Sequence, residues 1–407
     1  MLIFKFLSTN NDFTKIASIN LFSRLGDRLF YISMLNCAAL VSQSTLAITL
    51  VSFSETIPLL LSFLLGSVSD RQKNKSSILI KNSIIRCLIY VTIGLIFYHS
   101  TNFLIILLVS ILNLISGILG NYSSALITPF TKILVNNNDM EKAQGIIAMT
   151  SELINAFSTL MGSILIIFFL NSTIAFINAF IFLIVSLLFV LIRSTLNSNE
   201  KKIMINRENI SIFETIRNNF FRLFNNKELF DELFQLSLLN GFFGGLTPIF
   251  VLSLQKNNIN SATRPIMIAL LSVVITLGMI IGNFYSSRLL RNRSNATVNK
   301  FSNILIIFIG IGLIFNNMIF VLCISSILAF NLGIVSPRFT SKIINFYSIE
   351  NLGGIITTVN SLLLLTPPIT AIVFPSISNV SLYLVYIMFI VYGLFLIVMS
   401  KVILKDR

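Results

Sequence analysis

GSVSDRQKNK, residues 66–75, holds one acid and three bases between apolar runs of about twenty residues. Its reading decides the fold, because a short charged turn between two greasy runs separates one membrane-crossing helix from the next. The rest of the chain repeats that pattern. Of 407 residues, 55% are hydrophobic and only 11% charged, and the mean hydropathy is +0.89, which is more apolar content than a soluble core of this length would bury. Apolar runs between polar breaks predict spans near 16–40, 44–68, 78–98, 102–128, 143–169 and 172–193, then 232–254, 265–288, 301–316, 318–336, 352–374 and 379–400. The expected fold is an all-α membrane protein with twelve transmembrane helices.

The expected domains are an N-terminal six-helix bundle over 1–193, a cytoplasmic linker over 194–227 and a C-terminal six-helix bundle over 228–407. In the linker Phe213, Ile216, Phe220, Phe221 and Phe224 recur near helical spacing with Arg217 and Arg222 among them, which predicts an amphipathic helix on the inner membrane surface. Pro58, Pro248, Pro367 and Pro368 are expected to kink or interrupt their spans.

A formal charge of +14 on a soluble chain would point to nucleic acid, but here the bases sit in short loops. Loops alternating to one side hold Lys5, Lys15, Arg71, Lys73, Lys75, Lys132, Lys142, the run from Arg193 to Lys227, Arg288, Arg291, Arg293, Lys300, Arg338, Lys342 and the tail Lys401, Lys405 and Arg407. The other loops hold only Lys256 and Arg264. That asymmetry places both termini in the cytoplasm and the protein in a cell membrane as a multi-pass chain without a nucleic-acid partner. The abundance of Ile, Asn, Lys and Phe reads as an AT-rich bacterial source.

Cys37, Cys87 and Cys323 fall inside predicted spans and read as small apolar packing groups, not a disulfide framework. The lone histidine, His99, falls in a short outer loop, and no ligand spacing for a metal accompanies it. With no nucleophile beside a base and no phosphate loop, a membrane enzyme is the last of the readings, and neither enzymatic activity nor a cofactor is expected. The first span carries Arg24, Asp27 and Arg28 and lacks a small-residue cleavage site, so it reads as a retained helix and not a signal peptide.

The halves resemble each other. PFTKILVNNNDMEKAQGI, from Pro129, has a counterpart in PRFTSKIINFYSIENLGGI, from Pro337, with Glu141 against Glu350 and Gly145 against Gly354. More weakly, Gly66, Asp70 and Arg71 are echoed by Gly282, Ser286 and Arg288. Repetition of six-span units is the signature of a transporter built around a central site.

With that repeat in view, Gly66, Asp70, Arg71 and Lys75 resemble the G-x-x-x-D-R-x-x-x-[RK] loop between the second and third helices of the major facilitator superfamily. Within it the chain is similar to the branch of macrolide-efflux proteins and the enterobactin exporter, through FSRLGDR (22–28), ETIPLLLSFLLGSVSDR (55–71) and ALITPFTKILVNNNDMEKAQGI (125–146). The resemblance covers essentially the whole chain, with sharp motifs only in the first half. It implies the major facilitator fold and secondary transport by alternating access. It also implies that Asp70 and Arg71 make ionic and helix-end contacts that hold the cytoplasmic side closed. Lys73 and Lys75 are equally read as an ordinary basic loop. The chain departs from the family's drug antiporters in the fifth span, where SELINAFSTLMGSIL (151–165) keeps Gly162 but has no proline and puts Ser158 where glycine is usual. The fourth-span arginine of many proton antiporters is also missing from ILLVSILNLISGILG (106–120).

An ionisable group within a span costs about 2.5–3.5 kcal/mol on insertion scales, so each is a candidate site residue. Those here are Arg24, Asp27, Arg28, Glu55, Arg86 and Glu152, all in the first half. Asn20, Arg24, Asp27, Tyr31 and Met34 recur at steps of three and four and share one helical face expected to line the cavity. Asp27 first and Glu55 second are the candidate proton-coupling or substrate-cation groups, the alternative being static ion pairs with Arg24, Arg28 or Arg86. In the second half Gln235, Asn240, Asn283, Tyr285, Asn331 and Asn360 suit hydrogen bonding to a substrate or between helices. The expected activity is proton-coupled efflux of an amphipathic small molecule, such as a drug, macrolide or siderophore-like compound, by a monomer in the lipid bilayer. The rivals are an importer or lysophospholipid-type flippase on the same fold, and a transport-inactive receptor or immunity protein.

Overall fold

The computed structural model describes residues 2–41, 43–99, 102–203, 211–256, 263–289 and 293–405. Arg207, Arg291 and Arg407, assigned above to one set of loops, lie outside the described residues. In chain order the helices are α1 (Leu2–Thr9), α2 (Asn11–Ala39), α3 (Ser44–Leu60), α4 (Ser62–Asp70), α5 (Lys75–His99), α6 (Phe103–Leu134), α7 (Met140–Phe168) and α8 (Asn171–Leu191). After them come α9 (Arg193–Glu200), α10 (Ile212–Asn225), α11 (Lys227–Lys256), α12 (Thr263–Tyr285), α13 (Asn295–Ile314), α14 (Met318–Phe346), α15 (Leu352–Ser378) and α16 (Leu382–Lys405).

Every predicted span has its helix. Among the described residues 10 helices are long and apolar enough to cross a membrane, or 11 if α3 and α4 form one bent span. The remaining predicted span, α2, falls short on composition because Arg24, Asp27 and Arg28 lie in it. Span two breaks at Leu61 with a bend of 40° between α3 and α4. Pro58, in the last turn of α3, has no N–H to give the Ser54 carbonyl, which weakens the ladder just before the break. Pro248, Pro367 and Pro368, by contrast, sit inside α11 and α15 without ending them.

Local chemistry places the helix starts. Asn102 accepts a bond from the Ile105 amide at 3.0 Å and opens α6, while Ser294 opens α13 through the Thr297 amide at 3.3 Å. Between α13 and α14 the chain turns on Asn316, which has φ 55°, a left-handed conformation that Asn tolerates better than most residues. The predicted amphipathic helix of the linker is α10.

The chain divides into two compact units. The first comprises Met1–Asn138, Leu153–Phe220 and Ile344–Ser361, and the second Asp139–Glu152, Phe221–Ile343 and Leu362–Arg407. Each unit thus contains most of six consecutive spans plus a stretch from the other sequence half, and the two exchanged stretches are the repeated motifs around Gly145 and Gly354. In the first unit α5 packs along α8; in the second α13 packs along α16. These are the third and sixth spans of each half, so the repeat in the sequence is also a repeat of packing.

The first unit's core stacks Tyr90 on Phe182 at 5.3 Å and sets Phe30 edge-on to Tyr90 at 4.8 Å, with Met34 and Ile93 around them. In the second, Phe389 meets Phe242 at 4.9 Å and Phe374 at 5.0 Å, edge to face. There α11 lies against α15 through glycine: a Cβ on Gly244 would stand 2.7 Å from the Pro367 Cα. Thr366 and Thr370 donate to the backbone carbonyls of Ser237 and Gly241 along the same seam. Gly244→Val should therefore destabilise the protein by about 1–3 kcal/mol or more through overpacking against backbone, which the midpoint of thermal unfolding in detergent will report.

Candidate functional site

Two polar assemblies stand out in the first unit. The first surrounds Arg86 on α5, which is 2% exposed. Its guanidinium pairs with Asp27 on α2, donates through Nε to Ser116 Oγ on α6 at 3.0 Å and through Nη1 to Ser23 Oγ at 2.9 Å, and lies 3.9 Å over the Phe182 ring. Gly120 makes room for it, since a Cβ there would lie 3.1 Å from Nη1. A buried arginine with one carboxylate, two hydroxyls and an aromatic face has compensation for most of the water it left.

A second ion pair joins α2 to α3. Arg28 Nη1 stands 3.2 Å from Glu55 Oε1, with side chains 36% and 22% exposed. Next to Glu55, Ser54 Oγ accepts from Asn113 Nδ2 at 3.1 Å, and Asn113 Oδ1 accepts from the Tyr90 hydroxyl at 3.1 Å, so a polar chain runs from the core to the residue beside the carboxylate. Of the face proposed on the first span, Asn20, Arg24, Asp27 and Tyr31 are half-buried, whereas Met34 is buried in the core and does not extend the polar face. Glu152, on α7 in the second unit, is also half-buried.

The second assembly is built on Asp70, at the end of α4 and 6% exposed. Its Oδ1 accepts from the Gly353 amide at 2.9 Å and its Oδ2 from the Gly354 amide at 2.7 Å. These are unsatisfied N–H groups in the first turn of α15, where a negative charge also meets the positive end of the helix dipole. Gly66 permits the approach: a Cβ there would collide with Thr357 and come within 2.6 Å of the Gly353 carbonyl oxygen. Lower on the same pair, Ser62 and Ser361 share a hydroxyl hydrogen bond of 2.9 Å.

Lys75 differs from its reading as a solvated loop base. It is 1% exposed, donates through Nζ to the Ser69 carbonyl, and its backbone amide donates to Glu200 Oε1 on α9 at 2.5 Å. Burial forces this, because an ammonium out of water needs an acceptor, and the Ser69 carbonyl near the end of α4 has a second lone pair to offer besides the one that takes the Gln72 amide. Lys73 remains exposed and Arg71 half-buried.

The second unit holds the repeat's counterpart. Gly145 on α7 faces Ser286 at the end of α12, where a Cβ would lie 2.5 Å from Ser286 Oγ and 2.7 Å from the Asn283 carbonyl oxygen. Arg338, 7% exposed, gathers the carbonyls of Ser286 at 2.8 Å and Leu289 at 2.7 Å and forms an ion pair with Glu141 at 3.2 Å. Of the neutral polar residues proposed in the second half of the sequence, Gln235 is buried and accepts from Asn299 at 3.1 Å, and Asn283 and Asn331 are buried. Asn240 is half-buried, while Asn360 on α15 and Tyr285 are exposed.

Sequence reasoning missed Ser23, Asn113 and Ser116, since small polar residues are ordinary in spans, and it missed Arg338, although Pro337 beside it was part of the repeat. Among the described residues no group of acids, histidines and cysteines has metal-binding geometry.

The family model of the Major Facilitator Superfamily matches residues 16–365. Searching curated proteins returns no match. Solved structures share the fold at low identity. The human organic anion transporter TETRAN aligns with a TM-score of 0.69 at 14% identity over 95% of this chain and 99% of its own. A bacterial homologue of the iron transporter ferroportin, in an outward-facing state, gives 0.69 at 14% over 97% and 99%. The proton:xylose symporter XylE gives 0.65 at 13% over 96% of each chain.

The Arg86 cluster predicts strong coupling. Asp27→Asn or Arg86→Gln alone should cost about 3–5 kcal/mol by stranding a buried charge, and the double variant should cost less than the sum of the two. Denaturant unfolding of all four proteins in one detergent measures it; simple additivity would contradict the pairing.

Proposed function

The chain belongs to the major facilitator superfamily, and from that premise we propose that it drives proton-coupled efflux of an amphipathic small molecule, with Glu55 as the group that exchanges a proton. The family makes it a multi-pass secondary transporter and not an enzyme. The observation that carries the finer reading is the contrast between the two ion pairs of the first unit. Asp27 is held by an arginine whose other donors are spent on Ser23, Ser116 and the Phe182 face, an arrangement suited to fixed positioning. Glu55 has a half-exposed partner at 3.2 Å, so a proton or a substrate cation can replace Arg28 without stranding a deeply buried charge. Asp27 and Arg86 then set the field in which Glu55 works, with Arg24, Arg28 and Tyr31 as further polar groups for coupling and substrate.

In this reading Asp70 on the Gly353 and Gly354 amides is the cytoplasmic latch, and Gly66, Arg71 and Lys75 shape and hold its loop. Releasing two charge-assisted bonds at a helix start is a step that substrate binding can offset. Both termini lie in the cytoplasm, and the protein works as a monomer in a bacterial cell membrane. The missing fifth-span proline favours an importer or lysophospholipid-type flippase as the second reading.

Inside-out vesicles bearing the protein test both, with ethidium, a fluorescent macrolide and a fluorescent lysophospholipid as probes and an imposed pH gradient as the drive. Efflux predicts gradient-dependent probe accumulation that falls at least about tenfold in Glu55→Gln while probe exchange without a gradient persists. Accumulation with unchanged pH dependence in Glu55→Gln refutes the coupling role, and probe movement only in the opposite orientation refutes efflux.

A further inference from the structure

The linker helix α10 is two-sided. Toward the interior of the first unit, Asn219 is 1% exposed and donates through Nδ2 to Ser67 Oγ on α4 at 3.2 Å. It reaches the residue that Asp70 holds: a Cβ on Gly354 would lie 3.2 Å from Asn219 Cγ, and the Gly354 amide is bonded to Asp70. At the border between the two sides the Phe220 ring meets Phe63 edge-on at 5.7 Å. Asn219 therefore sits on the proposed latch as a third member. Its buried Oδ1 has no hydrogen-bond partner among the described residues, which makes its seat there costly.

The other side of α10 carries Phe213, Arg217, Phe221 and Phe224. At about 100° per residue they fall in a stripe roughly 80° wide on the side away from Asn219. The three phenylalanines are 78%, 60% and 49% exposed. Water is a poor neighbour for such a stripe, and a bilayer surface is close at hand: only Asn226 separates the end of α10 from α11, a membrane-crossing helix. Arg217 and Arg222 outnumber Glu214 on α10, and over residues 200–228 of the sequence six bases stand against four acids. Aromatic rings that enter the headgroup layer together with excess bases fit an anionic lipid surface better than a zwitterionic one.

We propose that α10 binds the anionic lipid surface through its Phe213, Arg217, Phe221 and Phe224 stripe, and that this attachment holds Asn219 against Ser67 and Gly354 so that lipid charge sets how readily the latch opens. The proposal rests on the reading of Asp70 and Gly354 as a latch. It makes α10 a strap between membrane and gate, with acidic phospholipid as its ligand.

The chain has no tryptophan, so Phe221→Trp places a single reporter on the stripe. The full-length variant is reconstituted into phosphatidylcholine vesicles, with or without phosphatidylglycerol. Expected are blue-shifted emission quenched by lipids brominated on the acyl chain, and amide exchange over 353–358 slowed about tenfold by phosphatidylglycerol. Adding Arg217→Gln and Arg222→Gln should remove that lipid dependence. Asn219→Ala should keep the quenching yet lose the effect on exchange. Absent quenching, as when a soluble partner or a second copy covers the stripe, overturns the proposal, and so does exchange indifferent to lipid charge. Asp70→Asn separates the premises: faster exchange over 353–358 in both lipids with no lipid effect rejects the strap and keeps the latch, whereas no change on Asp70→Asn rejects the latch itself.

Discussion

An ionised group cannot sit in hydrocarbon without a counter-charge or a set of hydrogen bonds, and the first unit is arranged around that constraint. Arg86 meets it with Asp27, two serine hydroxyls and an aromatic face; Arg28 and Glu55 meet it with each other and partial exposure. The packing follows from the pairing. Asp27 draws α2 to α5, Ser116 ties α6 to the same guanidinium, and Phe182 brings α8 over it, so four helices are oriented by one side chain. Gly120 is small because the arginine occupies the space a side chain would take. Compensation is loosest at the Arg28–Glu55 pair, where each charge has the other and partial exposure, and fullest at Arg86, whose three bonds and aromatic face leave little to rearrange.

That constraint also explains what the sequence reveals. Spans are legible as runs free of charge, and the few ionised positions within them are conspicuous because each is costly there, which is why Asp27, Glu55 and Arg86 can be picked out from composition and depth. Their partners cannot. Which carboxylate Arg86 meets depends on the rotation of α2 and α5 about their own axes, and helical periodicity leaves Arg24, Arg28 and Asp27 on neighbouring parts of one surface. Ser23, Ser116 and Asn113 carry no signal of their own, since hydroxyl and amide side chains occur throughout spans as bonds between helices. Lys75 misleads in the opposite sense: counted among loop bases, it is buried, with its ammonium donating to the Ser69 carbonyl and its backbone amide to the Glu200 carboxylate. The bend at Leu61 is half-legible, as Pro58 marks a weak ladder but not the residue at which it gives way.

The second sequence half, among the described residues, carries no charge in its spans' midsections. Its helices approach through glycine and hydroxyl instead, as along α11 and α15, where Gly241, Gly244 and Gly245 face Thr366, Pro367 and Thr370. Dispersion and short hydroxyl bonds suffice where no ion has to be neutralised. Since α5 packs along α8 as α13 does along α16, the duplicated architecture survives this change of chemistry. Backbone geometry is therefore the repeated property and polarity the divergent one.

The divergence is sharpest at the repeated helix ends. Where the first unit has Asp70, the second has Ser286, whose hydroxyl turns back to donate to the Asn283 carbonyl at 2.9 Å. A carboxylate there gains two charge-assisted bonds and the favourable end of a helix dipole; a serine gains neither. Glu141 and Arg338 supply charge at the second place, but Arg338 already serves the carbonyls that end α12, so its pairing with Glu141 at 3.2 Å is one of several competing bonds. The first unit's attachment is made by the Asp70 carboxylate on the helix start that Asn219 also reaches.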